Sequence, residues 1–131
     1  MKNKNILLFS LFLFLIAAVR FYLYYSINMA KLVNIVPDDA SYYFKIAENI
    51  ALGRGMSFDS IHQTNGVHPL WLLIITPLFL LERLGVTREI IFRLIFLLQT
   101  ILQVSAAFLI FNAIRTYWKN NTALISAALF L

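Results

Sequence analysis

The sequence predicts an all-helical membrane protein with several transmembrane helices, and three observations support that class. Of its 131 residues, 61% are hydrophobic and only 13% are charged, whereas a soluble domain usually carries about a quarter charged residues. The apolar residues fall into separate segments near the length that crosses a bilayer. One longer polar stretch, residues 31–68, holds carboxylates and turn signals. This pattern argues against an ordinary soluble domain, a disordered tail and a nucleic-acid-binding module.

The first predicted membrane helix covers residues 6–27. Two lysines precede it, and the apolar run continues past Arg20 into a tyrosine-rich stretch that is typical of a membrane interface. A basic start also belongs to secretory signal peptides, but no small-x-small cleavage site follows Val19. We therefore expect an uncleaved signal anchor whose amino terminus lies in the cytoplasm.

Three further apolar segments follow the polar stretch. The second covers residues 69–84; it is short and contains Pro77, so a re-entrant segment is the alternative to a crossing. The third covers residues 90–111, and a fourth begins near Thr122 and is cut off at Leu131. We therefore expect the amino-terminal part of a longer multi-pass protein of the cytoplasmic (inner) membrane.

The charge pattern favours an external position for residues 31–68. That loop carries four acidic and three basic residues, and the basic excess of a membrane protein usually lies on its cytoplasmic side. With three crossings, the three arginines between residues 83 and 93 fall inside, in agreement with the rule. Arg115 and Lys119 then fall outside, in conflict with it.

An amphipathic surface helix is predicted at residues 39–52 of the external loop. Pro37 and the two aspartates after it indicate a helix start, and Gly53 indicates a stop. Apolar residues line one side at helical spacing, while the other side carries polar residues that include Glu48 and Asn49. We expect such a helix to lie on the membrane surface.

Asp38 and Asp39 are the candidate catalytic residues, because they lie where a membrane segment gives way to the surface helix. The simpler interpretation is a helix start, in which an aspartate occupies the N-cap and a second one favours the positive end of the helix dipole. The functional interpretation is a general base or a metal-binding carboxylate. The two are compatible, because capping geometry also fixes the direction of a carboxylate.

Other polar residues give weaker signals. Arg20 interrupts an apolar run, where it can snorkel to the headgroups, hold a phosphate or pair with Asp38. His62 and His68 flank a turn, but their spacing matches no compact zinc motif. His68 is better suited to anchoring the loop or contacting a substrate. Asp59 is interpreted as a turn former, with a polar ligand contact as the alternative.

Three motifs follow one another in the external loop. They are Pro37-Asp38-Asp39-Ala40-Ser41-Tyr42-Tyr43, Gly53-Arg54-Gly55-Met56-Ser57-Phe58-Asp59 and Thr64-Asn65-Gly66-Val67-His68-Pro69-Leu70-Trp71. In this order the series resembles the first external loop of bacterial multi-pass glycosyltransferases of the GT-C fold, a group that includes protein-mannosyltransferase-like enzymes. The resemblance covers residues 37–71. Ser60 departs from it where the family often has glycine, and Val67 where an aromatic residue is common.

The resemblance implies an inverting glycosyltransferase that moves a sugar from a polyprenyl-phosphate carrier to an acceptor on the outer face of the membrane. It implies Asp38 as the base that deprotonates the acceptor, although the choice between Asp38 and Asp39 stays open. Asp39 would shape the local field, cap the helix or help to hold a divalent cation; no cofactor is assigned. The implied partners are a lipid-linked sugar donor and membrane lipids, with no nucleic acid. Substrate binding is expected from Arg20, Asp59, Asn65 and His68.

Two other classes remain open from the sequence. A transporter fragment would carry polar residues at mid-span in several helices, and the third segment has only Gln99, Thr100, Gln103 and Ser105. A small non-catalytic subunit would have its true end at Leu131. The reading frame beyond that residue separates these classes, because a GT-C enzyme requires several more apolar segments.

Overall fold

The computed structural model describes residues 2–118 and 120–131, and these residues are predominantly helical. The helices are α1 (Lys2–Ser26), α2 (Met29–Ile35), α3 (Asp38–Ala51), α4 (Pro69–Phe79), α5 (Arg88–Tyr117) and α6 (Asn120–Phe130). A short 3-10 helix, Leu80–Leu84, follows α4. Within the described part no strand forms beyond a single bridge between Ser57 and Gln63. The all-helical class is therefore confirmed. Lys119, which three crossings would place outside, is not among the described residues.

Two helices are long and apolar enough to cross a membrane. They are the Ile6–Ser26 part of α1, with 21 residues, and α5, with 30. At about 1.5 Å per residue the first is about 32 Å long, against about 30 Å for the hydrocarbon core. The Asn121–Phe130 part of α6 is a shorter apolar helix.

The predicted second membrane segment, residues 69–84, has a different form. It begins as α4, which has 11 residues and contains Pro77. Proline lacks the N–H that an α-helix needs at that position and crowds the carbonyl four residues earlier. The α-helix nevertheless runs through Pro77 and ends at Phe79, and the tighter 3-10 helix completes the segment. This segment is too short to count among the helices of spanning length.

The chain divides into two compact units, which we call the helical unit (Met1–Ser26 with Phe96–Leu131) and the loop unit (Ile27–Ile95). In the helical unit, α1 and α5 are antiparallel. The ring of Phe9 stacks on Phe111 with centroids 4.4 Å apart, and Tyr24 stacks on Phe96 at 5.0 Å. Alanines 107, 123 and 127 are fully buried in the same cluster, where their small size lets α6 approach.

The loop unit has its own apolar core, formed by α3, α4 and the first turns of α5. Phe92 of α5 stacks on Phe44 at 5.1 Å and meets the edge of Phe79 at 6.3 Å. The fully buried aliphatic residues of this core are Ile46, Ala47, Ile75, Ile91 and Ile95. Burial of this apolar surface is the main force that holds α3 against α4.

The predicted polar side of α3 is partly buried. Glu48, which was assigned to that side, is only 4% exposed, and Asn49 is fully buried. The helical spacing identified one apolar side correctly, since Ile46 and Ala47 are buried. It missed that the chain after α3 folds back and covers the polar side as well.

Candidate functional site

The acidic pair lies in the first turn of α3. Pro37, with φ −55° and ψ 145°, occupies the N-cap, and no side chain caps the helix. The prediction that an aspartate occupies the N-cap is therefore wrong, because proline takes that position with its fixed φ. Asp38 and Asp39 are exposed first-turn residues, where the free N–H groups and the helix dipole favour negative charge.

A buried asparagine ties the loop after α3 to the helix. The Asn49 side-chain amide donates to the carbonyls of Ser57 (2.8 Å) and Phe58 (3.1 Å), and its oxygen accepts from the Ser60 hydroxyl (3.1 Å). Each buried polar atom of this side chain is therefore satisfied by the loop. These hydrogen bonds hold the loop in one conformation at Ser57, Phe58 and Ser60.

Ser60, one of the two departures from the family pattern, has φ +68°. This left-handed conformation costs most residues about 1 kcal/mol and costs glycine nothing. We expect Ser60→Gly to be more stable than Ser60→Ala by about 1 kcal/mol, because both lose the hydroxyl and only alanine keeps a Cβ. Hydrogen exchange of the loop amides measures the difference, and equal protection of the two variants would contradict the strain argument.

Asp59 organises the tip of the same loop. One oxygen accepts from the Ser57 hydroxyl (3.0 Å) and from the backbone N–H groups of Ile61 (2.8 Å) and His62 (2.7 Å), while the other contacts His62 Nδ1 at 2.6 Å. The His62 ring, followed by these backbone donors, holds the pKa of Asp59 far below its usual value. These contacts favour the turn-forming interpretation of Asp59 over a ligand contact.

Two adjacent tyrosines of α3 position the end of the loop. Tyr42 stacks on Phe58 with centroids 5.1 Å apart, and its hydroxyl is 2.6 Å from that of Thr64. Tyr43 stacks on His68 at 5.7 Å; its hydroxyl accepts the His68 backbone N–H at 2.9 Å and is hydrogen-bonded to Nδ1. The exposed His68 ring is thus oriented, and its Nε2 stays available for other contacts.

A charged cluster joins α3 to the start of α5. The buried Glu48 carboxylate pairs with Lys45 at 3.0 Å and with Arg88, whose Nε lies 3.1 Å from a Glu82 oxygen. Such a buried carboxylate needs its partners, because its desolvation is costly unless opposite charge compensates it. Arg88 therefore helps to stabilise the loop unit, although it lies more than 30 residues after α3 in sequence.

Arg20 belongs to the helical unit. Its guanidinium is hydrogen-bonded to the Gln103 side chain and donates to the Leu131 carbonyl at 2.9 Å, which also accepts from Gln103 at 3.2 Å. A partly buried guanidinium with polar partners is suited to a functional role within an apolar helix.

The loop unit thus contains five of the six candidate residues: Asp38, Asp39, Asp59, Asn65 and His68. Asn65 is exposed in the irregular stretch before α4. His62 and His68 have separate partners, and residues 2–118 and 120–131 contain no group of three or more His, Asp or Glu suited to a metal ion. A divalent cation at Asp38 or Asp39 therefore stays a prediction.

Sequence reasoning missed the residues that hold the loop in place, above all Asn49, Tyr42 and Tyr43. The partners of Asn49 are mainly backbone carbonyls, which have no signature in the sequence. An adjacent pair of tyrosines in a polar helix was the one available signal, because the phenol hydroxyl usually finds a partner when its ring is packed.

Comparisons with family models, with curated proteins and with solved structures returned no match to this chain. The interpretation of the site therefore depends on its own residues and geometry.

Proposed function

We propose that this chain is part of a multi-pass inverting glycosyltransferase of the GT-C type in the cytoplasmic membrane. It would move a sugar from a polyprenyl-phosphate carrier to an acceptor on the outer face. The observation that carries the proposal is the exposed pair Asp38 and Asp39 in the first turn of α3. That helix is packed and its following loop is tied down, so the carboxylates stand on a rigid support.

The position of the pair in the chain supports a lipid-linked donor. The apolar helix that ends at Ser26 precedes α3 by only 11 residues, 27–37. A polyprenyl carrier stays anchored in the bilayer, so the sugar-phosphate bond is presented at the membrane surface. A base for this reaction must lie at that level, and a helix start just after a membrane helix meets the requirement.

The proposed reaction is a single displacement. Asp38 accepts the proton of the acceptor hydroxyl, and the resulting oxygen nucleophile bonds to the anomeric carbon from the face opposite the carrier. The bond from that carbon to the phosphate oxygen breaks, its electron pair leaves with polyprenyl phosphate, and the configuration inverts. Asp39 would act on the field around Asp38 or help to bind a cation.

The remaining candidates have distinct proposed roles. Arg20 would bind the carrier phosphate, for which a guanidinium is geometrically suited. His68, oriented by Tyr43, and the exposed Asn65 would contact the sugar or the acceptor. For Asp59, the hydrogen bonds that its carboxylate accepts favour a role in shaping the loop.

The test is sugar transfer by the full-length protein in membranes, with a panel of radiolabelled polyprenyl-phosphate hexoses and pentoses as donors. We expect Asp38→Asn to lower the transfer rate by about a hundredfold or more, the usual contribution of a general base. Asp39→Asn should have the smaller effect if Asp38 is the base.

The matched control is Glu89→Gln, which neutralises an exposed carboxylate of α5 that pairs with Arg93. It should leave the rate unchanged at equal expression. Wild-type rates in both aspartate variants would reject the base assignment. Absence of transfer from every donor by the unmodified protein, correctly inserted in the membrane, would reject the glycosyltransferase itself.

A further inference from the structure

Residues 69–84 begin and end beside the same short helix. At their start, the His68 N–H donates to the Tyr43 hydroxyl of α3 at 2.9 Å. At their end, Arg83 donates to the Ala51 carbonyl, the last residue of α3, at 2.6 Å. Arg88, just beyond, pairs with Glu48 of that helix. All these contacts lie within the loop unit.

The spacing of these contacts is too small for a membrane crossing. Tyr43 and Ala51 are eight residues apart in α3, a distance of about 12 Å along its axis. A crossing segment would need ends about 30 Å apart, and the side chains that make the contacts do not bridge that difference. α3 carries five charged or amide side chains and has only 14 residues, so it does not itself cross the core.

The outward face of α4 and the 3-10 helix is a continuous apolar stripe. Pro77 and four leucines form it at helical spacing, and the leucines are between 42% and 78% exposed: Leu70, Leu73, Leu80 and Leu84. The opposite face is buried in the core of the loop unit through Leu72, Ile75 and Phe79. We call Leu70, Leu73, Pro77, Leu80 and Leu84 the leucine stripe.

We propose that residues 69–84 do not cross the bilayer and that the leucine stripe lies in its outer interface. We assign bilayer lipid as the partner that covers the leucine stripe, because α5, a helix of spanning length, begins four residues after Leu84. α5 then becomes the second crossing and returns to the cytoplasm. The inference requires the membrane insertion proposed above, but not glycosyl transfer.

The helical unit supports the same path independently. Because α1 and α5 are antiparallel there, with Phe9 against Phe111 and Tyr24 against Phe96, the amino terminus and the end of α5 lie on one side. Three crossings would make these two helices parallel.

The charges also agree better with two crossings. Arg115 and Lys119 join the two amino-terminal lysines on the cytoplasmic side, as the positive-inside rule expects. The arginines that argued for a cytoplasmic position of residues 83–93 have partners in their own unit. Arg88 pairs with Glu48 and Glu82, and Arg93 pairs with Glu89.

Cysteine labelling tests the path, since the 131 residues contain no cysteine. In the full-length protein on intact cells, a membrane-impermeant maleimide should label Arg54→Cys and Thr87→Cys, and should label Tyr117→Cys only after the cells are opened. All three positions are exposed. Labelling of positions 54 and 87 from opposite sides would overturn the proposal.

Quenching by lipid-borne nitroxides tests the occupant. A fluorophore on Leu73→Cys, in vesicles of the purified full-length protein, should be quenched several-fold more by a shallow than by a deep nitroxide. Ile101→Cys, exposed near the middle of α5, should show the reverse order. Deep quenching at position 73, or no quenching because another part of the protein or a second copy covers the stripe, would overturn the assignment to the interface.

Discussion

Replacing Asn49 by leucine is expected to open the loop after α3. The substitution keeps the branched shape of the side chain but removes three hydrogen bonds, each worth about 1 kcal/mol, and leaves the buried Ser57 carbonyl without its partner at a further cost of about 1 kcal/mol or more. The sum of about 4 kcal/mol corresponds to about a thousandfold loss of protection against local opening.

Hydrogen exchange in detergent or nanodiscs measures this loss directly. The informative amide is that of Thr64, which donates to the Met56 carbonyl at 2.9 Å and closes the loop. Gln63→Leu, an exposed side chain of the same loop, is the matched control and should change the protection by less than about threefold. Equal protection in both variants would show that the Asn49 bonds do not hold the loop.

Arg88→Met is expected to weaken the attachment of α5 to α3. The variant keeps an apolar stem but leaves the buried Glu48 carboxylate with Lys45 as its remaining described cationic partner. Removing one member of a buried pair usually costs about 3 to 5 kcal/mol. Since Lys45 stays and Arg88 is 61% exposed, we expect a loss below that range, about 2 to 3 kcal/mol.

Two further variants separate this mechanism from a general effect of losing charge. Arg54→Met, an exposed arginine of the same unit, should leave the exchange of the last turn of α3 nearly unchanged. In the double variant Glu48→Met/Arg88→Met no buried charge is left unpaired, so most of the stability should return. A double variant less stable than Arg88→Met alone would refute the explanation.

Some features of the external loop could be predicted from sequence because their causes are local. Pro37 and Gly53 bound α3, whose limits are Asp38 and Ala51, since a proline and a glycine act on their own backbone. The hydrogen bond from Asn49 to the Ser57 carbonyl and the pairing of Arg88 with Glu48 could not be predicted in this way. Their partners come from elsewhere in the chain, and no periodicity records them.

Residues 69–84 are an apolar segment whose role likewise depends on distant partners. Hydropathy detects that such a segment avoids water, but core packing and lipid contact satisfy it equally well. The contacts of its two ends with α3 are what argue against a crossing. The antiparallel packing of α1 and α5 and the pairing of Arg88 agree with that conclusion.

The sequence alone determined the helical class, the two helices of spanning length and the presence of an acidic pair at a helix start. These follow from composition, local backbone preference and charge, which are properties of neighbouring residues. Only the tertiary structure decided that part of the polar side of α3 is buried and which residues hold the following loop. It also decided that the segment with the leucine stripe begins and ends beside α3. Those depend on pairs of groups far apart in the chain, and the requirement to satisfy each buried polar group is met only when the chain folds.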